Sequence, residues 1–120
     1  MILCAYLFKF RILNCVYTQL SILNLIYRFA DDLRQVIQIM RYKPNIEILI
    51  EGYTDKVGKG KYNIDLSLKR AKSIKKYFVD QGIAKNRIET KGLGWSVPAY
   101  PYTGNEKENA LNRRIEIKIK

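Results

Sequence analysis

The sequence of 120 residues contains no histidine. This absence excludes Ser-His-Asp and Cys-His nucleophile systems, the HExxH zinc site and the usual proton shuttle at neutral pH. The carboxylates of Glu47 and Glu51 share one face of an alternating segment, but no partner group accompanies them. We therefore expect a protein that is not an enzyme and that requires no cofactor.

Cysteine is scarce as well. Cys4 and Cys15 are the only two, which is too few for a four-cysteine zinc site, and their spacing is not that of a CxxC redox pair. We expect both to be packing residues, and we expect no metal site.

Export and membrane signals are also missing from the pattern. The basic residues Lys9 and Arg11 follow the apolar run Ile2 to Phe8, whereas a secretory signal peptide has its basic region first. The uncharged stretch from Ile12 to Tyr27 contains five polar residues and is short for a membrane span. We expect no membrane span in this chain.

Positive charge is abundant. Twenty-two Lys and Arg stand against eleven Asp and Glu, so the net charge is +11. Between Lys56 and Lys76, eight basic residues accompany the single acid Asp65. Such an excess favours an anionic partner, which can be nucleic acid, acidic lipid or a wall polymer whose peptides carry free carboxylates. Charge alone does not choose among them.

Periodicity predicts two elements in the first half of a single compact domain. Apolar residues at helical spacing indicate a helix across Phe29 to Met40, and Lys43-Pro44 would end it. Alternating isoleucines then predict a strand that ends at Gly52. A loop that contains Gly58 and Gly60 follows.

The second half predicts a basic amphipathic helix from about Asp65 to Gln81 and two strands, Arg87 to Leu93 and Arg114 to Lys120. A strand, a crossover helix and a strand favour parallel pairing, whereas the final strand can return antiparallel. The expected fold class is α+β, a mixed βαβαββ sheet with its helices packed on one face.

Residues 1–28 form an N-terminal segment of uncertain structure, and residues 29–120 form the predicted domain. Cys15 to Leu20 fits the missing first strand, but its weak periodicity fits a helix equally well. Both interpretations stay open.

An ordered series of motifs runs through the predicted domain. The motifs are Gly52-Tyr53-Thr54-Asp55, Tyr62-Asn63, Leu66-Ser67-Leu68-Lys69-Arg70-Ala71, Gly82-Ile83, Lys91-Gly92-Leu93-Gly94 and Asn112-Arg113-Arg114-Ile115-Glu116-Ile117. Together they resemble the OmpA-like C-terminal domain, a family that binds peptidoglycan non-covalently. The resemblance covers roughly Phe29 to Lys120 and implies a periplasmic, outer-membrane-associated protein anchored to the cell wall.

The resemblance also implies a ligand site. In the family, the Asp of the GxTD motif and the Arg of the LSxxRA motif hold the diaminopimelate residue of the stem peptide, and these map onto Asp55 and Arg70. The chemistry is reasonable, because a carboxylate accepts hydrogen bonds from N–H groups and a guanidinium grips a carboxylate with its planar fork. Further candidates from the family pattern are Thr54, Asn63 and Arg114, with Arg113 ranked below them.

Simpler interpretations compete with this site. Asp55 fits a turn residue in its own loop, and Arg70 taken alone fits a solvated cation on a helix face. Their joint occurrence with the other motifs favours ligand binding at the solvent-facing mouth of a cleft. Tyr53 departs from the family, which often has His there. The alternative function is a basic nucleic-acid-binding domain, although the expected partner is peptidoglycan and not nucleic acid.

Overall fold

The computed structural model describes four stretches of the chain, residues 13–14, 30–54, 60–96 and 113–120. Helix α1 is Ala30–Tyr42 and helix α2 is Gly60–Asp80. The strands are β1 (Leu13–Asn14), β2 (Ile48–Tyr53), β3 (Ile88–Gly94) and β4 (Arg114–Ile119), and a short 3-10 helix, Lys85–Arg87, precedes β3.

The four strands form one mixed sheet in the order β1-β4-β2-β3. Strands β2 and β3 pair in parallel, with Ile48 opposite Ile88. Strand β4 returns antiparallel to β2, with Ile50 opposite Ile117. The predicted α+β class and the mixed sheet are therefore confirmed, and the crossover from β2 to β3 runs through α2 as expected.

Strand β1 is short and lies inside the segment 1–28. It pairs antiparallel with β4, and Leu13 stands opposite Ile115. Strand β4, the last in sequence, consequently lies between β1 and β2. The stretch from Cys15 to Leu20, proposed above as a possible first strand, lies outside the described residues.

Both helices pack on the same face of the sheet. Their buried apolar residues and the inward residues of the strands form one cluster, made of Leu33, Ile37, Met40, Ile48, Ile50, Ala71, Ile74, Phe78, Ile83, Ile88, Ile115 and Ile117. The alternating isoleucines of β2 and β4 supply the sheet side of this core, as their period of two predicts. In the part of the chain that the structure describes, no helix has the length and apolar character that crossing a membrane requires.

One predicted boundary is wrong. Helix α2 begins at Gly60, which the sequence assigned to a loop, and not at about Asp65. The apolar pattern misleads in the first turn, because Tyr62 is exposed whereas Asn63 is buried. This turn packs on the end of β3, and tertiary contact extends the helix beyond its apolar stripe.

Candidate functional site

The site residues gather where the parallel strands β2 and β3 end beside the N-terminal half of α2. Gly52 and Gly92 stand opposite each other in these strands. A Cβ on Gly52 would lie 2.1 Å from the backbone oxygen of Ser67, and one on Gly92 would lie 2.5 Å from the backbone nitrogen of Leu68. The helix backbone therefore rests directly on the sheet at two positions where only glycine fits.

Ser67 links the helix to both strands. Its buried hydroxyl donates a hydrogen bond to the Ile64 carbonyl oxygen at 2.8 Å and accepts one from the Gly94 backbone N–H at 3.0 Å. The Thr54 backbone N–H in turn donates to the Gly94 carbonyl oxygen at 2.7 Å. Ser67 is not among the predicted site residues, although a small polar residue inside the buried helical stripe is the signal that could have revealed its role.

The structure brings three of the predicted site residues to this place. Thr54 follows the last residue of β2 and is buried, and Asn63 is only 2% exposed. Arg70 lies on the same buried helix face, one turn after Ser67, because residues three and four apart are neighbours on a helix. Asn63 and Arg70 therefore face the sheet from α2, and Thr54 lies at the end of β2 with its backbone beside Gly94.

Arg70 differs from its expected surroundings. It is only 6% exposed, so it is neither a solvated cation nor a side chain at a solvent-facing mouth. Its position seven residues after Asn63 on the inward stripe explains the burial. A buried guanidinium interacts more strongly with an opposite charge than an exposed one does, because the surrounding dielectric constant is lower.

Asp55, the predicted partner of Arg70, lies outside the described residues. It directly follows Thr54, whose backbone the structure places beside Gly94. Its role stays a prediction.

The two arginines of the Asn112-Arg113-Arg114 motif differ in their place in the fold, because Arg114 begins β4 and Arg113 precedes it. Ile115 stands opposite Gly52 and packs in the core on the helix side. Since side chains alternate along a strand, Arg114 points away from the helices. Arg113 is 2% exposed. The ligand-binding role of Arg114 stays a prediction.

Arg114 belongs instead to a group of polar side chains on the face of the sheet opposite the helices. We call this group, made of Glu51, Tyr53, Arg114, Glu116 and Lys118, the far-face cluster. The Arg114 guanidinium carbon lies 3.8 Å from the Tyr53 ring centroid, and its nitrogen lies 3.6 Å from the Glu116 carboxylate. The Lys118 ammonium lies 2.6 Å from the Glu51 carboxylate.

Two groups of the far-face cluster, Tyr53 and Lys118, have raised pKa values. Burial raises the pKa of the Tyr53 hydroxyl far above its ordinary value of 10.0, and its hydrogen bond to the Glu116 carboxylate raises it further. The hydrogen bond to Glu51 raises the pKa of the Lys118 ammonium. These groups stabilise one another across β2 and β4.

The described residues offer charged and neutral hydrogen-bonding groups but no metal cage. No three His, Cys, Asp or Glu side chains gather within ranges 30–54, 60–96 and 113–120 as metal binding would require. The arrangement at the strand ends is suited to gripping an anionic group through Arg70, with Thr54 and Asn63 as neutral partners.

Comparison with known proteins identifies the family. The family model described as "OmpA family" matches residues 27–113, which is most of the chain. The chain belongs to the OmpA family. The match confirms the family that the ordered motifs indicated.

Relatives in this family carry related names. The chain is 36% identical over 90 residues to the peptidoglycan-associated lipoprotein of Buchnera aphidicola subsp. Baizongia pistaciae, a match that covers 75% of the chain and 51% of the relative. It is 38% identical over 87 residues to the peptidoglycan-binding protein ArfA of Mycobacterium tuberculosis, covering 72% of the chain and 26% of that relative. The chain thus spans about half the length or less of these curated relatives.

A solved structure has the same fold. The crystal structure of the peptidoglycan-associated lipoprotein from Burkholderia pseudomallei superposes with a TM-score of 0.73 at 29% sequence identity. The superposition covers 78% of each chain.

Proposed function

We propose that this chain binds peptidoglycan non-covalently through the diaminopimelate residue of the stem peptide and so anchors an envelope protein to the cell wall. The observation that carries the proposal is the burial of Thr54, Asn63 and Arg70 in an OmpA-family domain whose helix α2 rests directly on the ends of β2 and β3. The names of its relatives, peptidoglycan-associated and peptidoglycan-binding proteins, support this ligand and a periplasmic, outer-membrane-associated location.

In the proposed chemistry, two side chains of opposite charge bind different groups of the ligand. The planar fork of Arg70 takes a carboxylate of diaminopimelate, and Asp55 accepts hydrogen bonds from its amino or amide N–H groups. Thr54 and Asn63 complete the site as neutral hydrogen-bonding partners. The close contact of α2 with Gly52 and Gly92 holds Arg70 on a rigid element, which lowers the entropic cost of binding.

Substitutions can distinguish the roles of Arg113 and Arg114, the two arginines of the NRR motif. The resemblance assigns Arg114 to the ligand, whereas the contacts of Arg114 with Tyr53 and Glu116 on the face opposite the helices leave Arg113 as the alternative. If placement decides, Arg113→Ala weakens stem-peptide binding, and Arg114→Ala lowers stability through the far-face cluster while binding persists. The opposite pattern would support the family assignment of Arg114.

The test is an NMR titration with soluble stem peptides. Wild-type protein should bind the diaminopimelate peptide and bind the lysine-type peptide more weakly, because the latter lacks the side-chain carboxylate. Arg70→Ala should lose about 2 to 5 kcal/mol of binding free energy, since it removes one partner of a charged, hydrogen-bonded contact. Arg70→Lys keeps the charge and removes the fork, so it should recover only part of the loss.

Lys72→Ala is the matched control, because Lys72 is an exposed cation of the same helix. It should leave soluble-peptide binding unchanged. Equal losses for Arg70→Ala and Lys72→Ala in folded proteins, checked by circular dichroism, would replace the specific site with a diffuse electrostatic surface.

The exposed lysines of α2 keep nucleic acid as the second candidate. A surface that neutralises about six phosphates of duplex DNA would show a log-log salt slope near −5. The proposed pocket makes one or two oriented charged contacts, so its salt dependence should be shallow. Steep binding of a short duplex, without any response to the diaminopimelate peptide, would favour the nucleic-acid function.

A further inference from the structure

The outer side of α2 carries a row of positive charge. Lys69, Lys72 and Lys76 follow one another at spacings of three and four residues, so they lie along one line of the helix. This line is opposite the buried face that contains Ser67 and Ile74. We call the three residues the lysine stripe. With Asp65, Leu68 and Ser73 they line a shallow, open groove.

Helix α2 carries a larger excess of positive charge than helix α1. Helix α1 has two acidic and two basic residues, and Arg34 forms an ion pair with Asp31 one turn earlier. Helix α2 has six basic residues and two acidic ones. Asp80 pairs with Lys76 at 2.8 Å, and Asp65 is the single acid at the other end of the stripe. Like charges at these spacings repel, so the stripe favours an anionic partner.

We propose that the lysine stripe binds carboxylates of a second stem peptide in the same wall polymer that occupies the Arg70 site. This inference rests on the proposed function. The stripe runs from Lys69 to Lys76, a stretch that includes Arg70 and rises roughly 10 Å along the helix, and the helix is about 10–12 Å wide with its side chains. A polymer held at the inner face of α2 therefore passes within reach of its outer face.

The chemistry of lysine suits this partner. Neighbouring stem peptides are chemically alike, but their positions vary with the conformation of the polymer. An ammonium group on a flexible stem follows such a carboxylate more easily than a guanidinium fork of fixed geometry. A second weak contact on the same polymer raises the overall affinity, because it forms at a high effective concentration.

The test compares two triple variants of equal charge. Lys69→Gln, Lys72→Gln and Lys76→Gln together neutralise the stripe. Lys43→Gln, Lys85→Gln and Lys91→Gln neutralise three exposed lysines elsewhere and serve as the control. Each protein is sedimented with insoluble diaminopimelate-type sacculi at increasing salt, and each is titrated with one soluble stem peptide.

The stripe variant should bind sacculi about tenfold more weakly than the control variant, with a flatter salt dependence. Its affinity for the single soluble peptide should stay within about twofold of wild type. Equal sacculus binding by the two triple variants would overturn the inference. A stripe variant that binds sacculi like the control but alone loses binding to a DNA duplex or to anionic lipid vesicles would also overturn it, and would assign the stripe to that partner.

Failure of the proposed function has a different signature. In that case wild type shows no response to the diaminopimelate peptide, and Arg70→Ala sediments with sacculi as wild type does. Failure of the inference alone leaves both the peptide response and the Arg70 effect in place and removes only the difference between the triple variants.

Discussion

The two faces of the sheet are built on different physical principles, although they alternate along the same strands. The helix side of β2 and β4 carries isoleucines and Gly52, and it is held by apolar packing and by direct contact with the backbone of α2. The opposite side carries the far-face cluster, in which Arg114 stacks on Tyr53 and Lys118 pairs with Glu51. Close packing stabilises the helix side of the sheet, and pairs of opposite charges stabilise the far side.

This difference separates residues that are adjacent in sequence. Arg113 and Arg114 are chemically identical, yet Arg114 joins the far-face cluster at the start of β4, whereas Arg113 is buried just before that strand. Two identical neighbours in a motif can therefore have different positions relative to the sheet. Substitutions on the two faces should accordingly differ in size and in their dependence on pH.

The largest loss of stability is expected from a substitution on the helix side of the sheet. Gly52→Ala places a Cβ 2.1 Å from the Ser67 backbone oxygen, which cannot rotate away, so α2 must move off the sheet. Overpacking of a core costs about 1 to 3 kcal/mol and occasionally more, and we expect at least the upper end of that range. Urea unfolding followed by circular dichroism measures the loss.

Gly60→Ala is the matched control for this prediction. A Cβ there meets the Trp95 side chain at 3.9 Å, which is ordinary contact, and α2 begins at this residue. Its stability should change by less than about 1 kcal/mol. If Gly52→Ala were as mild as Gly60→Ala, close contact between α2 and the sheet would not be what organises the site.

An intermediate effect is expected on the far face. Tyr53→Phe removes the hydroxyl that donates to the Glu116 carboxylate and should cost about 1 kcal/mol at neutral pH. The pKa of Tyr53 is raised by folding, so above about pH 10 the unfolded chain releases this proton first and the folded state loses stability. The raised pKa of Lys118 acts in the same direction.

The measurement is the midpoint of thermal unfolding between pH 8 and 11. Wild type should lose stability as the pH rises, and Tyr53→Phe should lose it less steeply. Tyr62→Phe, which alters an exposed tyrosine of α2, should follow the wild-type profile. Parallel profiles for wild type and Tyr53→Phe would mean that the far-face cluster does not control alkaline stability.

The smallest effect is expected at the edge of the same face. The Lys120 ammonium lies 2.8 Å from the Glu89 carboxylate, but both side chains are half-exposed. Water and salt screen such a pair, so Glu89→Gln should leave the unfolding midpoint unchanged at low and at high salt. A loss comparable to that of Tyr53→Phe would show that distance, and not burial, decides the contribution of ion pairs on this face.

The local sequence pattern was sufficient to predict most of the described helices and strands. The periods of 3.6 and 2 in the apolar residues predicted α1, β2 and β4 close to their observed bounds, because these periods report which side of an element is buried. The alternation of strand and helix predicted the parallel pairing of β2 with β3. The ordered motifs indicated the family.

Tertiary structure decided what local pattern does not contain. The early start of α2 at Gly60, the burial of Arg70 and the hydrogen bonds of Ser67 all depend on how closely the helix approaches the sheet. The sequence by itself determined which residues the domain carries at its strand ends and which elements hold them. Only the packing of α2 on Gly52 and Gly92 determined which of those side chains are buried between helix and sheet, because approach distance is a property of two elements together and not of either alone.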